Sequence, residues 1–201
     1  MKAKARLTKL LIFISSLIPL SWYVWGILTE KLGANPIETI TRGLGTWALI
    51  FLLLTLTTTP LQRLAKWHWP VANRRMIGLF AFFYACLHFM AYIWLDQFFD
   101  WPAIGKDIFK RPFITVGIMT LLLLLPLAIT SSTYAVVTMG AKRWKKLHRL
   151  IYLISVMACI HYFWMVKADT REPFIYSSIL FLLLSIRVFW LYRKIIMPTT
   201  R

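Results

Sequence analysis

Six apolar stretches, each about as long as a bilayer is thick, constrain this chain more than any other feature. A hydrocarbon core of about 30 Å takes roughly 20 residues of α-helix to cross. The stretches comprise residues 10–28, 44–61, 77–94, 113–130, 150–166 and 174–192. The sequence therefore predicts an all-α, six-helix transmembrane bundle that forms a single domain over residues 1–201.

The composition supports a membrane location. Hydrophobic residues make up 59% of the 201 residues and charged residues only 15%, against about 45–50% and about 25% in soluble domains. A soluble fold of this size would leave too much apolar surface in water. The same composition excludes a disordered chain, and two cysteines are too few for a disulfide scaffold.

The charges are divided unequally between the two ends of the predicted bundle. The N-terminus, the 62–76 and 131–149 loops and the C-terminal end, counted from Arg187 onward, carry 17 Lys and Arg and no acid. The three loops at the other end, residues 29–43, 95–112 and 167–173, carry 7 Lys and Arg and all 7 acids. The positive-inside rule therefore predicts that both termini are cytoplasmic. The net charge of +17 therefore indicates an interaction with the anionic lipids of the bilayer and not with nucleic acid.

The longest outer loop, residues 95–112, mixes aromatic and charged residues. This pattern predicts a short amphipathic helix that lies along the membrane surface.

Two histidines lie inside apolar stretches, where a polar ring needs a partner or a function. His88 follows Ile77, and His161 follows Leu150, by eleven residues. Both stretches run outward, so both rings are expected roughly 16 Å deep. Two imidazoles at equal depth on parallel helices fit the two axial positions of a haem b iron. The structural alternative is a histidine that hydrogen-bonds across helices.

A third histidine, His148, lies thirteen residues before His161, about 19.5 Å along a straight helix. An ideal helix would put the two rings about 140° apart, so either the helix is distorted between them or His148 points elsewhere. Counting back fourteen residues from His88 reaches Arg74 on nearly the same helix face. Arg74 and Arg75 are candidate ligands for a haem propionate or a flavin phosphate, or simply topology charges.

Several stretches of the chain resemble a known family. They are GANPIETITRGLGTWAL (33–49), NRRMIGLFAFFYACLHFMAY (73–92), KRPFITVG (110–117), KRWKKLHRLIYL (142–153) and IHYFWMVK (160–167). In order and spacing they resemble the MsrQ (YedZ) family, the haem-binding membrane subunits of the bacterial periplasmic methionine sulfoxide reductase system, within the ferric-reductase-like superfamily.

The resemblance implies a multi-pass protein of the bacterial inner membrane that binds one or two haem b groups and FMN. Its haem ligands would be His88, His148 and His161. It would pass electrons from quinol or a cytoplasmic flavin reductase to a periplasmic molybdopterin catalytic subunit, which reduces methionine sulfoxide in oxidised envelope proteins. Arg74 stands where wider superfamily members carry a further histidine.

Two other functions compete with this reading. The first is a stand-alone ferric or quinone reductase on the same fold. The second is a transporter or assembly factor whose histidines are structural, and the absence of carboxylates within the predicted spans argues against it.

Overall fold

The computed structural model describes residues 2–196, with side chains from residue 5 onward. Three of the basic residues assigned above to the inner face, Lys2, Lys4 and Arg201, have side chains outside this described part. The helices are α1 (Lys2–Leu28), α2 (Pro36–Leu64), α3 (Trp69–Ala91), α4 (Trp101–Lys110), α5 (Pro112–Ile129), α6 (Thr133–Met139), α7 (Ala141–His148), α8 (Leu150–Met165) and α9 (Arg171–Ile196).

Six segments of the described chain are long and apolar enough to cross a bilayer, which confirms the predicted number of spans and the all-α class. They are Ala5–Leu28, Pro36–Leu64, Trp69–Asp96, Pro112–Ile129, Ala141–Met165 and Arg171–Ile196. The orientation of the termini stays a prediction.

The second span begins at Pro36, eight residues before the predicted start at Leu44. Asn35 caps the helix because its side chain accepts a hydrogen bond from the backbone N–H of Glu38. Pro36 is suited to the first helical position, because the N–H that proline lacks would have no partner there. The difference matters because residues expected in a loop, among them Thr41, are placed on a rigid helix.

The 95–112 segment contains the expected short helix. The third span ends in a π-helical turn, Tyr92–Asp96, and the two residues before the next helix cap, Phe98 and Phe99, both have positive φ. Asp100 caps α4 by accepting from the backbone N–H of Ala103. The position of α4 along the membrane surface stays a prediction.

Helix α2 lies at the centre of the bundle, where it contacts α1, α3, α8 and α9, while α5 packs mainly on α8. Phe51 of α2 stacks between two rings of α3, Phe80 at 5.6 Å and Tyr84 at 5.3 Å between centroids. The fully buried Tyr84 hydroxyl donates to the backbone carbonyl of Ser16, 2.7 Å away, and so ties α3 to α1.

Arg187, a charged side chain in the last span, donates a hydrogen bond to a backbone carbonyl of the second span that lacks its helical partner. Pro60 lies inside α2 and has no N–H to donate to the carbonyl of Leu56, four residues earlier. The guanidinium of Arg187, on α9, donates to that carbonyl and to its own Leu183 carbonyl at 2.8 Å. In an apolar environment an unsatisfied carbonyl is costly. We conclude that Arg187 fastens α9 to α2.

Arg187→Met should lower the free energy of unfolding, because it leaves the Leu56 carbonyl unsatisfied at a cost of about 1–3 kcal/mol. Adding Pro60→Ala should recover much of the loss, since the new N–H can bond to that carbonyl within α2. Unfolding in mixed detergent micelles measures both effects. Arg193→Met, an exposed arginine on the same helix, is the control. If Pro60→Ala gives no recovery, the arginine acts in another way.

Candidate functional site

The structure brings His88 and His161 together inside the bundle. Their ring centroids lie 6.0 Å apart, and the ring planes are inclined by 75°. His88 projects from α3 and His161 from α8. The two rings, which the sequence predicts at equal depth, are therefore direct neighbours in the structure.

Each imidazole is oriented by a backbone carbonyl of a neighbouring helix. Nδ1 of His88 lies 2.8 Å from the carbonyl oxygen of Thr41 on α2. Nδ1 of His161 lies 2.6 Å from the carbonyl oxygen of Phe113 on α5. A carbonyl can only accept, so in each neutral ring Nδ1 carries the proton and Nε2 keeps its lone pair. This is the tautomer that a metal-binding histidine needs.

A glycine follows each of these carbonyls by four residues and makes room for the ring. A Cβ on Gly45 would lie 3.0 Å from Nδ1 of His88. A Cβ on Gly117 would lie 2.8 Å from Nδ1 and Cε1 of His161, closer than real Cβ contacts come. The same arrangement of carbonyl, glycine and imidazole thus occurs on both sides of the site.

The two rings line a cavity of about 650 Å³ between α2, α3, α5 and α8. This volume falls within the range of about 300–1,000 Å³ typical of cofactor sites. Its lining includes four leucines from the spans: Leu49, Leu52, Leu121 and Leu124. The rim carries polar and charged side chains from one end of the bundle: Asn35, Glu38, Arg42, Asp96 and Arg111.

The residues present fit a metal held in a macrocycle. A metal–imidazole bond is about 2.0–2.1 Å long, so two rings that share one metal have centres roughly 6 Å apart. The observed 6.0 Å matches this value. Among the described residues no group of three or more His, Cys, Asp or Glu comes together. Two imidazoles suffice where a porphyrin supplies the other four ligands.

His148 does not join this cavity. The helix is interrupted at Arg149, between α7 and α8. The helix distortion that helix counting left open is therefore present. Nε2 of His148 lies 3.0 Å from the Thr130 hydroxyl, and the ring stacks on Trp144 at 3.9 Å. The Trp144 indole in turn donates to the Thr130 carbonyl. His148 therefore belongs to a separate cluster at the other end of α5.

The two predicted arginines also lie outside the cavity. Both are exposed. Arg74 is close enough to His148 for its charge to act on the ring.

Sequence reasoning missed the residues that shape the His88–His161 site: Thr41, Gly45, Phe113 and Gly117. Two carbonyl acceptors leave no sequence signal, because every residue has one. The glycines do leave a signal, since glycine within a helical apolar stretch usually has a packing or functional reason.

The segment that includes His88 and ends just before His161 belongs to a known class of transmembrane proteins. Residues 44–159 match the family model for the ferric reductase like transmembrane component.

Closer relatives cover almost the whole chain. Heme-binding subunits MsrQ of protein-methionine-sulfoxide reductase are 51% identical in Herminiimonas arsenicoxydans and 53% identical in Rhodospirillum rubrum. Each similarity spans 94% of this chain, and 87% and 90% of the relative, respectively. The subunit of Azospira oryzae is 50% identical over 90% of this chain and 78% of its own length. The chain belongs to the MsrQ family.

Gly117→Ala should destabilise the protein by about 1–3 kcal/mol, because the added methyl overlaps the His161 ring. In a His161→Ala background the same substitution should cost little, since the ring is gone. The thermal unfolding midpoints of the four proteins form a double-mutant cycle. Gly105→Ala is the control, because nothing lies within 4 Å of its Cβ position. An equal loss in both backgrounds would place the clash elsewhere.

Proposed function

We propose that this chain is the membrane electron-transfer subunit of a bacterial periplasmic methionine sulfoxide reductase system and binds a b-type haem through Nε2 of His88 and His161. The observation that carries the proposal is the 6.0 Å ring pair, with both Nδ1 atoms bound to carbonyls. The names of the 50–53% identical relatives, which describe heme-binding subunits, support it.

In this proposal the chain positions the metal and excludes water. The carbonyls of Thr41 and Phe113 hold the two imidazoles in one tautomer and raise their basicity as ligands. The leucines of the lining keep the surroundings apolar. A haem iron supplies reversible one-electron exchange, and two histidine ligands leave no open position for a substrate. The sulfoxide chemistry therefore belongs to a partner subunit.

We further propose that His148, Arg74 and neighbouring Arg75 form a second cofactor site at the cytoplasmic face, in which His148 would be a ligand of the iron where the cofactor is a second haem b and the arginines would bind anionic groups. The site would take the phosphate of FMN or the propionates of a second haem b. The support is the electrostatic influence of Arg74 on His148 and the complete lack of acids in the sequence assigned to this face. Electrons would enter here from quinol or a cytoplasmic flavin reductase.

The opposite face is proposed to dock the periplasmic molybdopterin catalytic subunit. The charge distribution supports this orientation, because all 7 acids of the chain lie in the segments at that end. The rim of the His88–His161 cavity is at the same end, so the proposed haem lies next to the partner. The proposed compartment is accordingly the bacterial inner membrane.

His88→Ala and His161→Ala should each abolish a low-spin b-type signal in the dithionite-reduced minus oxidised spectrum, because each removes an axial ligand. Haem quantified per chain in the purified protein measures the loss. His68→Ala is the matched control, since His68 is exposed in a loop before α3.

Full haem content in either variant contradicts the pairing. A featureless wild-type spectrum after expression with sufficient haem would favour the structural reading of the histidines. A haem-containing protein that cannot reduce the purified catalytic subunit would instead favour a stand-alone reductase.

His148→Ala and Arg74→Ala should each lower the content of FMN or of a second haem and leave the His88–His161 haem in place. The reason is that they line a separate site. Cofactor analysis by absorbance and by flavin fluorescence after extraction measures the change. Lys145→Ala, an exposed lysine on α7, is the control. Unchanged cofactor content in both variants would leave Arg74 as a topology charge.

A further inference from the structure

Two arginines stand at the rim of the His88–His161 cavity, each beside the residue that orients one ring. Arg42 directly follows Thr41, whose carbonyl accepts from His88. Arg111 lies two residues before Phe113, whose carbonyl accepts from His161. Both arginines line the cavity. Because the same backbone segments carry the arginines and hold the rings, the backbone positions of the arginines are fixed relative to the imidazoles.

Each arginine is already positioned by an acid four residues earlier. Nη2 of Arg42 lies 2.6 Å from Oε1 of Glu38, and Nε of Arg111 lies 3.2 Å from Oδ1 of Asp107. A guanidinium has five N–H donors, so each arginine keeps donors for a further anion. The side chains are 53% exposed and accessible from the rim. Asp96 is the other acid that lines this end of the cavity.

A hydroxyl in the cavity also has no partner. Oγ1 of Thr41 is buried and makes no hydrogen bond within the described structure. A buried polar atom without a partner is costly, and at the wall of a cavity it points to a ligand that completes it. The lining of the cavity thus offers two cationic groups and one hydroxyl without a partner.

The polarity of the cavity determines how an amphipathic macrocycle can enter it. A b-type haem carries two propionate carboxylates on one edge and apolar substituents on the other. The leucine-lined part of the cavity cannot accept an ionised carboxylate without a large desolvation cost. The carboxylates must therefore lie at the rim, where Arg42 and Arg111 are.

We propose that Arg42 and Arg111 bind the propionate carboxylates of the haem and so set its orientation, with the propionate edge toward the outer face. The inference rests on the proposed function, because it assumes that the cavity holds haem. The Thr41 hydroxyl supplies an additional hydrogen bond at the same edge. The arginines are positioning residues, and the iron ligands remain His88 and His161.

The test compares haem b with its dimethyl ester, in which the propionates carry no charge. Each is bound to the purified full-length protein, and its transfer to an excess of a soluble haem-binding scavenger protein is followed by absorbance. From the wild type the ester should leave about tenfold faster or more, since it lacks the charge-assisted hydrogen bonds. The Arg42→Gln/Arg111→Gln variant should release haem as fast as the ester. The double variant and the wild type should release the ester at the same rate.

Arg171→Gln is the matched control, because Arg171 is an outer-end arginine paired with Asp169 and does not line the cavity. It should release haem at the wild-type rate. Equal release of haem and ester from the wild type would overturn the proposal, and so would an equal acceleration of both ligands in the double variant. A wild-type protein that takes up neither ligand would overturn the proposed function itself, which is a different and visible outcome.

Discussion

The hydrogen bond from a side chain to a backbone carbonyl is the interaction on which the rest of this structure depends. The apolar interior of a bilayer offers no water to a polar group, so each one needs a partner within the protein. Thr55, Thr57 and Thr120 bond to carbonyls of their own helices. Tyr84 and Arg187 bond to carbonyls of other helices and thereby join α3 to α1 and α9 to α2. Polar residues in these spans are the connections of the bundle as well as candidates for function.

The same interaction builds the site. The imidazoles of His88 and His161 are satisfied on one nitrogen by carbonyls of α2 and α5, which leaves the other nitrogen for a metal. Glycines at positions 45 and 117 let each ring approach the helix that holds it. Rigidity follows, because each ring is fixed between two packed helices. In the proposed electron carrier, such a preorganised pair of ligands would keep the coordination similar in both redox states.

The sequence predicted much of the fold, since its main signal is the length of apolar runs. The number of spans and the short helix in the 95–112 segment are found in the structure. The ends of the helices were less well predicted: α2 starts at Pro36 because of the cap at Asn35, a local signal outside the apolar run. The juxtaposition of His88 and His161 followed from helix counting, because both helices start near the same level and rise equally per residue. Helix counting left the direction of His148 undecided, since it cannot locate the interruption at Arg149, and the assignment of His148 as a haem ligand came from the resemblance alone.

By itself, the sequence determined the class of protein, the number of spans and the two histidines that can face one another, because hydrophobicity and helical rise act locally along the chain. Only the tertiary structure decided which carbonyls orient the rings, which glycines admit them and which arginines stand at the rim. The two histidines bond to carbonyls 47 and 48 positions away in the chain. The bond between Arg187 and the Leu56 carbonyl, which joins α9 to α2, spans 131 positions. Contacts of this range depend on how helices rotate and tilt against one another, and that is determined by packing between helices and not by any single stretch of sequence.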